Sequence, residues 1–237
     1  MRDRAWWWRG WLAEAAGVLV PASCAGCGAD ASEVRLRGGV CSSCRPHLEP
    51  LPVEADDRSL GFTVQAALEY RGVVAAVLGA VKERGRTDAL AALAPALAAS
   101  VDLALALARL PPGPGVLLVP VPSSPQAVRR RGFRPVDDLL RRAGHPVSRS
   151  SRLVLARSVR DQAGLSSSER VANLHGALRA RGPFEGRPVL LIDDVVTTGA
   201  TLAEAARAVT AAGGEVVGAA CLAHTPRRHT GGSTTHR

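Results

Sequence analysis

The sequence is poor in aromatic side chains. Across 237 residues it has one Tyr (Tyr70), three Phe, and four Trp confined to the stretch from Trp6 to Trp11. Single-stranded nucleic acid is bound on aromatic platforms interleaved with basic groups. Past residue 11 the chain has almost nothing from which to build one, which counts against that class of partner. Lysine is nearly absent: Lys82 stands alone, so the basic complement is almost wholly arginine. No apolar run approaches the ~20 residues of a membrane span, so no transmembrane segment is expected. No Gly-Lys-Ser/Thr occurs, which removes the Walker A phosphate loop. The N-terminus lacks a secretory signal as well. Arg9 and Glu14 interrupt the apolar stretch that follows Arg2 and Arg4, where a signal needs ~7–15 uninterrupted apolar residues. A cytoplasmic location is the expectation.

The hydrophobic fraction of 46% and the length suit one substantial α/β core with room for a small extra module. That module is written in cysteine. Cys24-Ala-Gly-Cys27 and Cys41-Ser-Ser-Cys44 are two Cys-x-x-Cys knuckles separated by 13 residues. Two intervening residues let both sulfurs of a pair point to one side of a tight turn. Gly26 and Gly28 supply the backbone freedom, and Gly38-Gly39 suit the bend of a short hairpin. Four thiolates form a closed tetrahedral zinc site, structural and not catalytic. Two disulfides or a thioredoxin-like redox pair are the alternatives, and the missing secretion signal and the matched knuckles favour zinc over both. Cys221, in the strand-like run Val216–Leu222, reads as a small core residue.

The net charge of +9 is unevenly placed. Between Ala127 and Arg160 lie ten Arg and two Asp. Three readings remain open for this segment: a solvated basic face, a field that concentrates a polyanionic ligand, or a nucleic-acid contact.

Along the chain, Trp6–Val20 suits an amphipathic helix, and Pro46–Pro52 with the acidic Glu54–Asp57 reads as a linker. Val64–Tyr70 reads as a strand, and Val73–Arg84 as a helix ended near Gly85. Asp88 is placed to cap a long Ala/Leu helix that Pro95 kinks or splits. Val116–Val121 is the next strand, and Ser124 with Pro125 opens a helix. Ser166-Ser-Ser-Glu169 is a capping box. A helix from about Ala200 to Ala212, a Gly213-Gly214 turn and a strand Glu215–Leu222 complete the pattern. Strands alternating with helices predict a parallel sheet with right-handed crossovers. The expected divisions are a helix over 1–20, a zinc module over 21–55, the main domain over 60–223 and a disordered tail over 224–237.

The chemistry concentrates in Val189-Leu-Leu-Ile-Asp-Asp-Val-Val-Thr-Thr-Gly-Ala-Thr201. An apolar run reads as a buried parallel strand. Asp193 and Asp194 then fall outside its carboxyl end, where α/β sheets bind ligands. Thr197, Thr198, Gly199, Ala200 and Thr201 supply hydroxyls and backbone N–H groups at a helix N-terminus, a ready anion site. An ordinary strand–turn–helix with a polar turn is the plainer reading, and the ordered acid pair argues against it.

This segment resembles the phosphoribosyl pyrophosphate (PRPP) signature of type I phosphoribosyltransferases. The resemblance implies that Asp193 to Thr201, with Val195 and Val196, bind PRPP: Asp193 and Asp194 hold ribose hydroxyls, and Thr197 to Thr201 wrap the 5′-phosphate. With the zinc knuckles, Tyr70-Arg-Gly, Lys82, Val119-Pro-Val-Pro122, Arg129-Arg-Arg-Gly-Phe133, Gln162-Ala-Gly-Leu-Ser166 and Glu169-Arg-Val-Ala-Asn173, nearly the whole chain resembles the ComF family of competence-associated, phosphoribosyltransferase-like proteins. The fold so implied is a type I phosphoribosyltransferase-like parallel sheet flanked by helices, with the small four-Cys module N-terminal to it. Pro120, Val121, Pro122 and Ser123 would form the loop that receives pyrophosphate. A hood over residues 157–173 would offer Arg157, Arg160, Gln162, Arg170 and Asn173. The cofactors implied are structural zinc and magnesium bound with PRPP. Two departures stand out: Arg134-Pro135 occupy the place of an Asn-Gln pair, and Val159 that of a common Thr. Thr197 sits where relatives acting on 6-oxopurines carry an acid, so hypoxanthine–guanine salvage is disfavoured. Two classes of function follow from the resemblance. One is a Mg-dependent transferase acting on PRPP or another phosphoribosyl ligand. The other is a non-catalytic accessory that binds DNA or a DNA-uptake helicase.

Overall fold

A computed structural model describes residues 23–55, 60–108, 115–145, 152–157 and 174–226. The helix expected over 1–20, the capping box at Ser166–Glu169 and the tail beyond residue 226 lie outside the described residues.

The main sheet has five strands in the order β3-β4-β9-β8-β5. These are β3 (Val53–Glu54), β4 (Val64–Glu69), β5 (Leu117–Pro120), β8 (Pro188–Val196) and β9 (Glu215–His224). Strands β4, β9, β8 and β5 run parallel, and β3 pairs antiparallel on the edge. Their sequences are nearly continuous apolar runs because both faces are covered. In β4, Val64 to Leu68 are all buried, and in β8 so are Val189 to Ile192. On one face helix α2 (Leu90–Leu107) packs Leu93, Leu97 and Val101 into a cluster with Leu190, Ile192 and Leu222. On the other, helix α5 (Ala200–Thr210) packs Leu202, Ala205 and Val209 with Leu191, Cys221 and Phe184. Cys221 is fully buried, as a small core residue should be, and that burial pushes its thiol pKa well up.

Helix α1 (Gly72–Arg84) follows β4 and ends at Gly85, which takes the left-handed conformation (φ 67°) that favours glycine. Helix α3 (Pro125–Arg131) opens as its sequence predicts: Ser124 Oγ accepts a hydrogen bond from the Ala127 N–H at 3.1 Å, with Pro125 in the first turn. Helix α4 (Pro135–Arg142) lies just beyond it. A separate hairpin pairs β6 (Leu153–Leu155) with β7 (Leu178–Ala180).

Several expectations are corrected. Asp88 does not cap α2. It bonds Arg86 at 2.8 and 2.9 Å, and a single 3-10 turn over Thr87–Ala89 leads into the helix. Pro95 does not split α2, which is continuous through it. Pro95 lies on the exposed side while Leu93, Ala94, Ala96 and Leu97 are buried. Packing of that face outweighs the ~3 kcal/mol typical of an interior proline. By length and composition Thr87–Leu107 is long and apolar enough to cross a membrane, contrary to the expectation that no run approaches that length, yet half of it is buried inside this protein. The proposed linker also contributes Val53–Glu54 as an edge strand, so the 21–55 division ends inside the main sheet. Strand β9 reaches His224, and the Thr225 N–H donates to the Val196 carbonyl at 2.9 Å. The chain is therefore ordered past the expected start of the tail at 224.

The four-Cys module precedes the sheet. Strands β1 (Leu36–Arg37) and β2 (Val40–Cys41) form the expected hairpin, with Gly38 (φ 56°) and Gly39 (φ 66°) at the bend. Two successive positive φ values are the requirement of a two-residue hairpin turn. A Cβ on Gly39 would sit 2.3 Å from the Asp88 carboxylate, so glycine also permits the close approach of the hairpin to the 3-10 turn that precedes α2.

Candidate functional site

Asp193 and Asp194 lie within β8, not beyond it. Strand β9 is long enough to pair as far as Val196↔His224, which carries the ladder past both acids. They still occupy the carboxyl end of the sheet. The loop Thr197–Gly199 follows and opens α5, with Gly199 at φ 70° as the residue before the helix. No side chain caps that helix, so its first N–H groups remain available to an anion. Thr197 is exposed, Thr198 and Thr201 are half-buried, and Gly199 and Ala200 are buried. Val196 is 5% exposed and packs in the α5-side core, and Val195 packs against the opposite cluster. Of the expected PRPP-binding residues, those two side chains pack in the core.

The two acids differ electrostatically. Burial and the adjacent Asp194 carboxylate push the Asp193 pKa up to about 7, although the Asp194 N–H donates to Asp193 Oδ1 at 2.8 Å and Lys82 opposes the rise. Asp194 instead has a cation: Lys82 Nζ lies 2.8 Å from its Oδ2. Burial favours a neutral Lys82, but the carboxylates of Asp194 and Asp193 outweigh it and raise the lysine pKa. The sole lysine of the chain thus meets the second acid of the signature. Composition made Lys82 conspicuous, but nothing in the sequence placed it on Asp194, 112 positions away in the chain (194 − 82).

The loop Pro120–Ser123, expected to receive pyrophosphate, leaves the end of β5, the neighbour of β8. Pro120 is opposite Ile192, and the Val121 N–H donates to the Ile192 carbonyl at 2.8 Å. The Val121 side chain is buried, whereas Pro122 and Ser123 are half-exposed. Of the four loop residues expected to receive pyrophosphate, Val121 thus serves the core, and Pro122 and Ser123 face partly outward. Of the hood candidates, Arg157 donates to the His175 carbonyl at 2.8 Å. Arg160, Gln162, Arg170 and Asn173 lie outside the described residues.

The β6–β7 hairpin flanks the hood segment and is tied to α5 by two residues that sequence reasoning missed. Glu204 is buried and accepts from the Leu178 N–H at 2.9 Å and from Arg207 at 2.7 and 2.8 Å. Arg207 also donates to the Leu178 carbonyl at 2.9 Å. Burial works against the Glu204 charge, but these donors prevail and lower its pKa. Glu204 and Arg207 are an i, i+3 pair on α5. That spacing was the available signal, and the need for a buried partner strand was not visible.

In the N-terminal module the sulfurs of Cys24, Cys27, Cys41 and Cys44 all lie within 4.8 Å of one another. Cys27 Sγ and Cys41 Sγ are 3.7 Å apart, close to the ~3.8 Å edge of a tetrahedron with Zn–S bonds of about 2.3 Å. Burial disfavours a thiolate at Cys24, but N–H groups including those of Gly26 (3.4 Å) and Cys41 (3.3 Å) pull its pKa down to about 6. The Cys44 thiol beside it is pushed up by burial and its sulfur neighbours. Four thiols converging on one point, with donors already aimed at a sulfur, make a set that could hold zinc.

Comparison with known proteins agrees with this geometry. A model of the phosphoribosyl transferase domain matches residues 127–232. The DNA utilization protein YhgH of Salmonella typhi is 29% identical over 211 residues, covering 84% of this chain and 90% of that protein. The chain has a type I phosphoribosyltransferase domain and is similar to ComF-family relatives. YhgH of Escherichia coli K12 is 36% identical over 115 residues, 46% of this chain and 49% of that relative. The domain match covers the acid pair and the Thr-rich loop.

Proposed function

We propose that the protein binds PRPP with magnesium and transfers its phosphoribosyl group to an acceptor, releasing pyrophosphate. The observation that carries this reading is the acid pair at the carboxyl end of β8, directly before an uncapped helix N-terminus. Ionised Asp193 and Asp194 would accept hydrogen bonds from ribose hydroxyls. The N–H groups and hydroxyls from Thr197 to Thr201 would hold the 5′-phosphate, and the backbone at Pro122 and Ser123 would meet the pyrophosphate. The C1–O bond would break with its electron pair leaving on pyrophosphate, and the acceptor lone pair would form the new bond to C1. Magnesium would neutralise the pyrophosphate and ribose oxygens. In the N-terminal module Cys24, Cys27, Cys41 and Cys44 would hold zinc, whose part is to fold a segment too small for its own core. A cytoplasmic location goes with this reading.

Isothermal titration of PRPP with magnesium tests it. Saturable binding should vanish in the Asp193→Ala, Asp194→Ala double variant, and unchanged binding there would end the proposal.

A second reading rests on the relatives named DNA utilization proteins: the same fold would serve as a non-catalytic accessory to DNA uptake. Arg129, Arg130 and Arg134 are exposed at and just beyond α3 and could meet DNA or a helicase partner. DNA affinity falling steeply with salt would favour it. PRPP binding without turnover over a panel of bases and amines would point the same way.

A further inference from the structure

Helix α1 does not lie along the sheet beside its own strand. It starts at Gly72, just after the carboxyl end of β4, and its other end reaches β8, where Lys82 meets Asp194. One residue later Glu83 accepts from Arg130 of α3 at 2.8 Å, beyond the carboxyl end of β5. The helix therefore crosses the carboxyl ends of the strands, the edge on which α/β sheets bind ligands. It delivers the one lysine of the sequence to the acid pair.

The four-Cys module grips this helix at both ends. At the start of α1, the space beside Gly26 is filled by Val73 and Cys44, 3.0 and 2.9 Å from where a Cβ would stand. Just past the end of α1, Arg86 donates to the Ser23 carbonyl at 2.8 Å and to the Gly39 carbonyl at 3.5 Å. Between these grips, Cys24, Cys41, Cys44 and Leu48 share one hydrophobic cluster with Val74, Leu78 and Val81 of α1.

We propose that Lys82 is a binding residue of the phosphoribosyl site and that the four-Cys module positions it, so that metal occupancy sets affinity for the phosphoribosyl ligand. The inference rests on the functional reading above and adds a residue and a coupling to it. The Lys82 ammonium fixes Asp194 as an oriented carboxylate for the ribose. Its two remaining N–H donors carry positive charge toward a ligand with several phosphate charges. Loss of metal releases the knuckles, frees both ends of α1 and removes Lys82 from Asp194. The coupling passes through one rigid helix between two sites, so it is reciprocal.

The test is a thermodynamic cycle on the full chain, with PRPP and magnesium as the probe in isothermal titration. Lys82→Met keeps the apolar stem and removes the charge, and Lys82→Arg restores a cation. Each protein is titrated as purified and again after a zinc-selective chelator has been applied and dialysed away, with magnesium then added in excess. Zinc content and circular dichroism are read on every sample. The expected result is at least a tenfold loss of affinity in Lys82→Met, partly recovered in Lys82→Arg. A comparable loss is expected on stripping the wild-type chain, and less than threefold further loss on stripping Lys82→Met. Non-additivity of this kind is the mark of two perturbations that act through one contact. Should stripped protein lose its fold by circular dichroism, Arg86→Ala replaces stripping, with the same pattern expected. Wild-type affinity in Lys82→Met would overturn the inference, as would equal losses on metal removal with and without Lys82. Absence of PRPP binding in the wild-type chain would instead refute the functional reading, a result distinct from both.

Discussion

Replacing Asp193 with Asn should make the protein more stable, by an amount that grows as pH rises from about 4 and is complete above about 7. Asp193 accepts the Asp194 N–H at 2.8 Å, a bond that the Asn carbonyl can keep. Asn removes the charge that burial and Asp194 disfavour. The sign follows from linkage. The folded-state pKa is about 7 against an ordinary value of 3.8, so the folded chain holds this proton more tightly than the unfolded one. Stability therefore falls as pH rises between about 4 and 7 and is fully reduced above 7. At 1.36 kcal/mol per pKa unit the rise sets an upper bound of about 4 kcal/mol. Asp193 is only partly buried and Lys82 stands nearby, so screening leaves about 1–2 kcal/mol. For a chain of this size that is a melting-point gain of roughly 2–8 °C at pH 8, shrinking to nothing near pH 3, below both the unfolded and the folded pKa. Differential scanning calorimetry of both proteins across that range provides the measurement. An equal gain at both pH values, or a loss at pH 8, would refute the assignment of a strained carboxylate to this position.

Three further outcomes are expected. Glu204→Ala leaves the Leu178 N–H and Arg207 without their buried partner and should cost about 3 kcal/mol, with hydrogen exchange at Leu178 accelerating more than at Leu191. Because the Glu204 pKa is lowered in the folded chain, its contribution is present above the ordinary glutamate range and lost as pH falls below it. Wild type and Glu204→Ala should accordingly converge in stability under acid. Cys44→Ser should abolish stoichiometric zinc in elemental analysis and lower the melting point, whereas Cys221→Ser should leave zinc content unchanged. Gly214→Ala would place a Cβ 2.6 Å from Val209 Cγ1 and 2.9 Å from Phe184 Cβ. Overpacking of that kind costs about 1–3 kcal/mol, read as a shift in urea midpoint.

Much of this was legible in the sequence where one local rule decides the outcome. The knuckles, the Gly38-Gly39 turn, the Ser124-Pro125 helix start and the buried runs of β4 and β8 each depend on residues within a few positions of one another. The acid pair and its loop were legible as chemistry, although the strand carrying them runs four residues past the expected end. That extension is fixed by β9, a partner that sequence periodicity does not reveal. Pro95 misled because propensity is local while the packing of α2 on β4 and β9 is not. Edge strand β3 and the β6–β7 hairpin are too short for a periodic signal. Asp88 offered a cap by position, and a nearby guanidinium took it. Lys82 meets Asp194, and Glu204 meets the Leu178 N–H, outside their own elements. Nothing in a one-dimensional pattern could have assigned those contacts.

The central claim is that Asp193 and Asp194 hold a phosphoribosyl ligand, and titration of PRPP into the full chain tests it most directly. With magnesium present, the account predicts saturable one-site binding. That binding should be lost in the Asp193→Ala, Asp194→Ala double variant while zinc content stays intact. Binding of equal strength in wild type and double variant would contradict it.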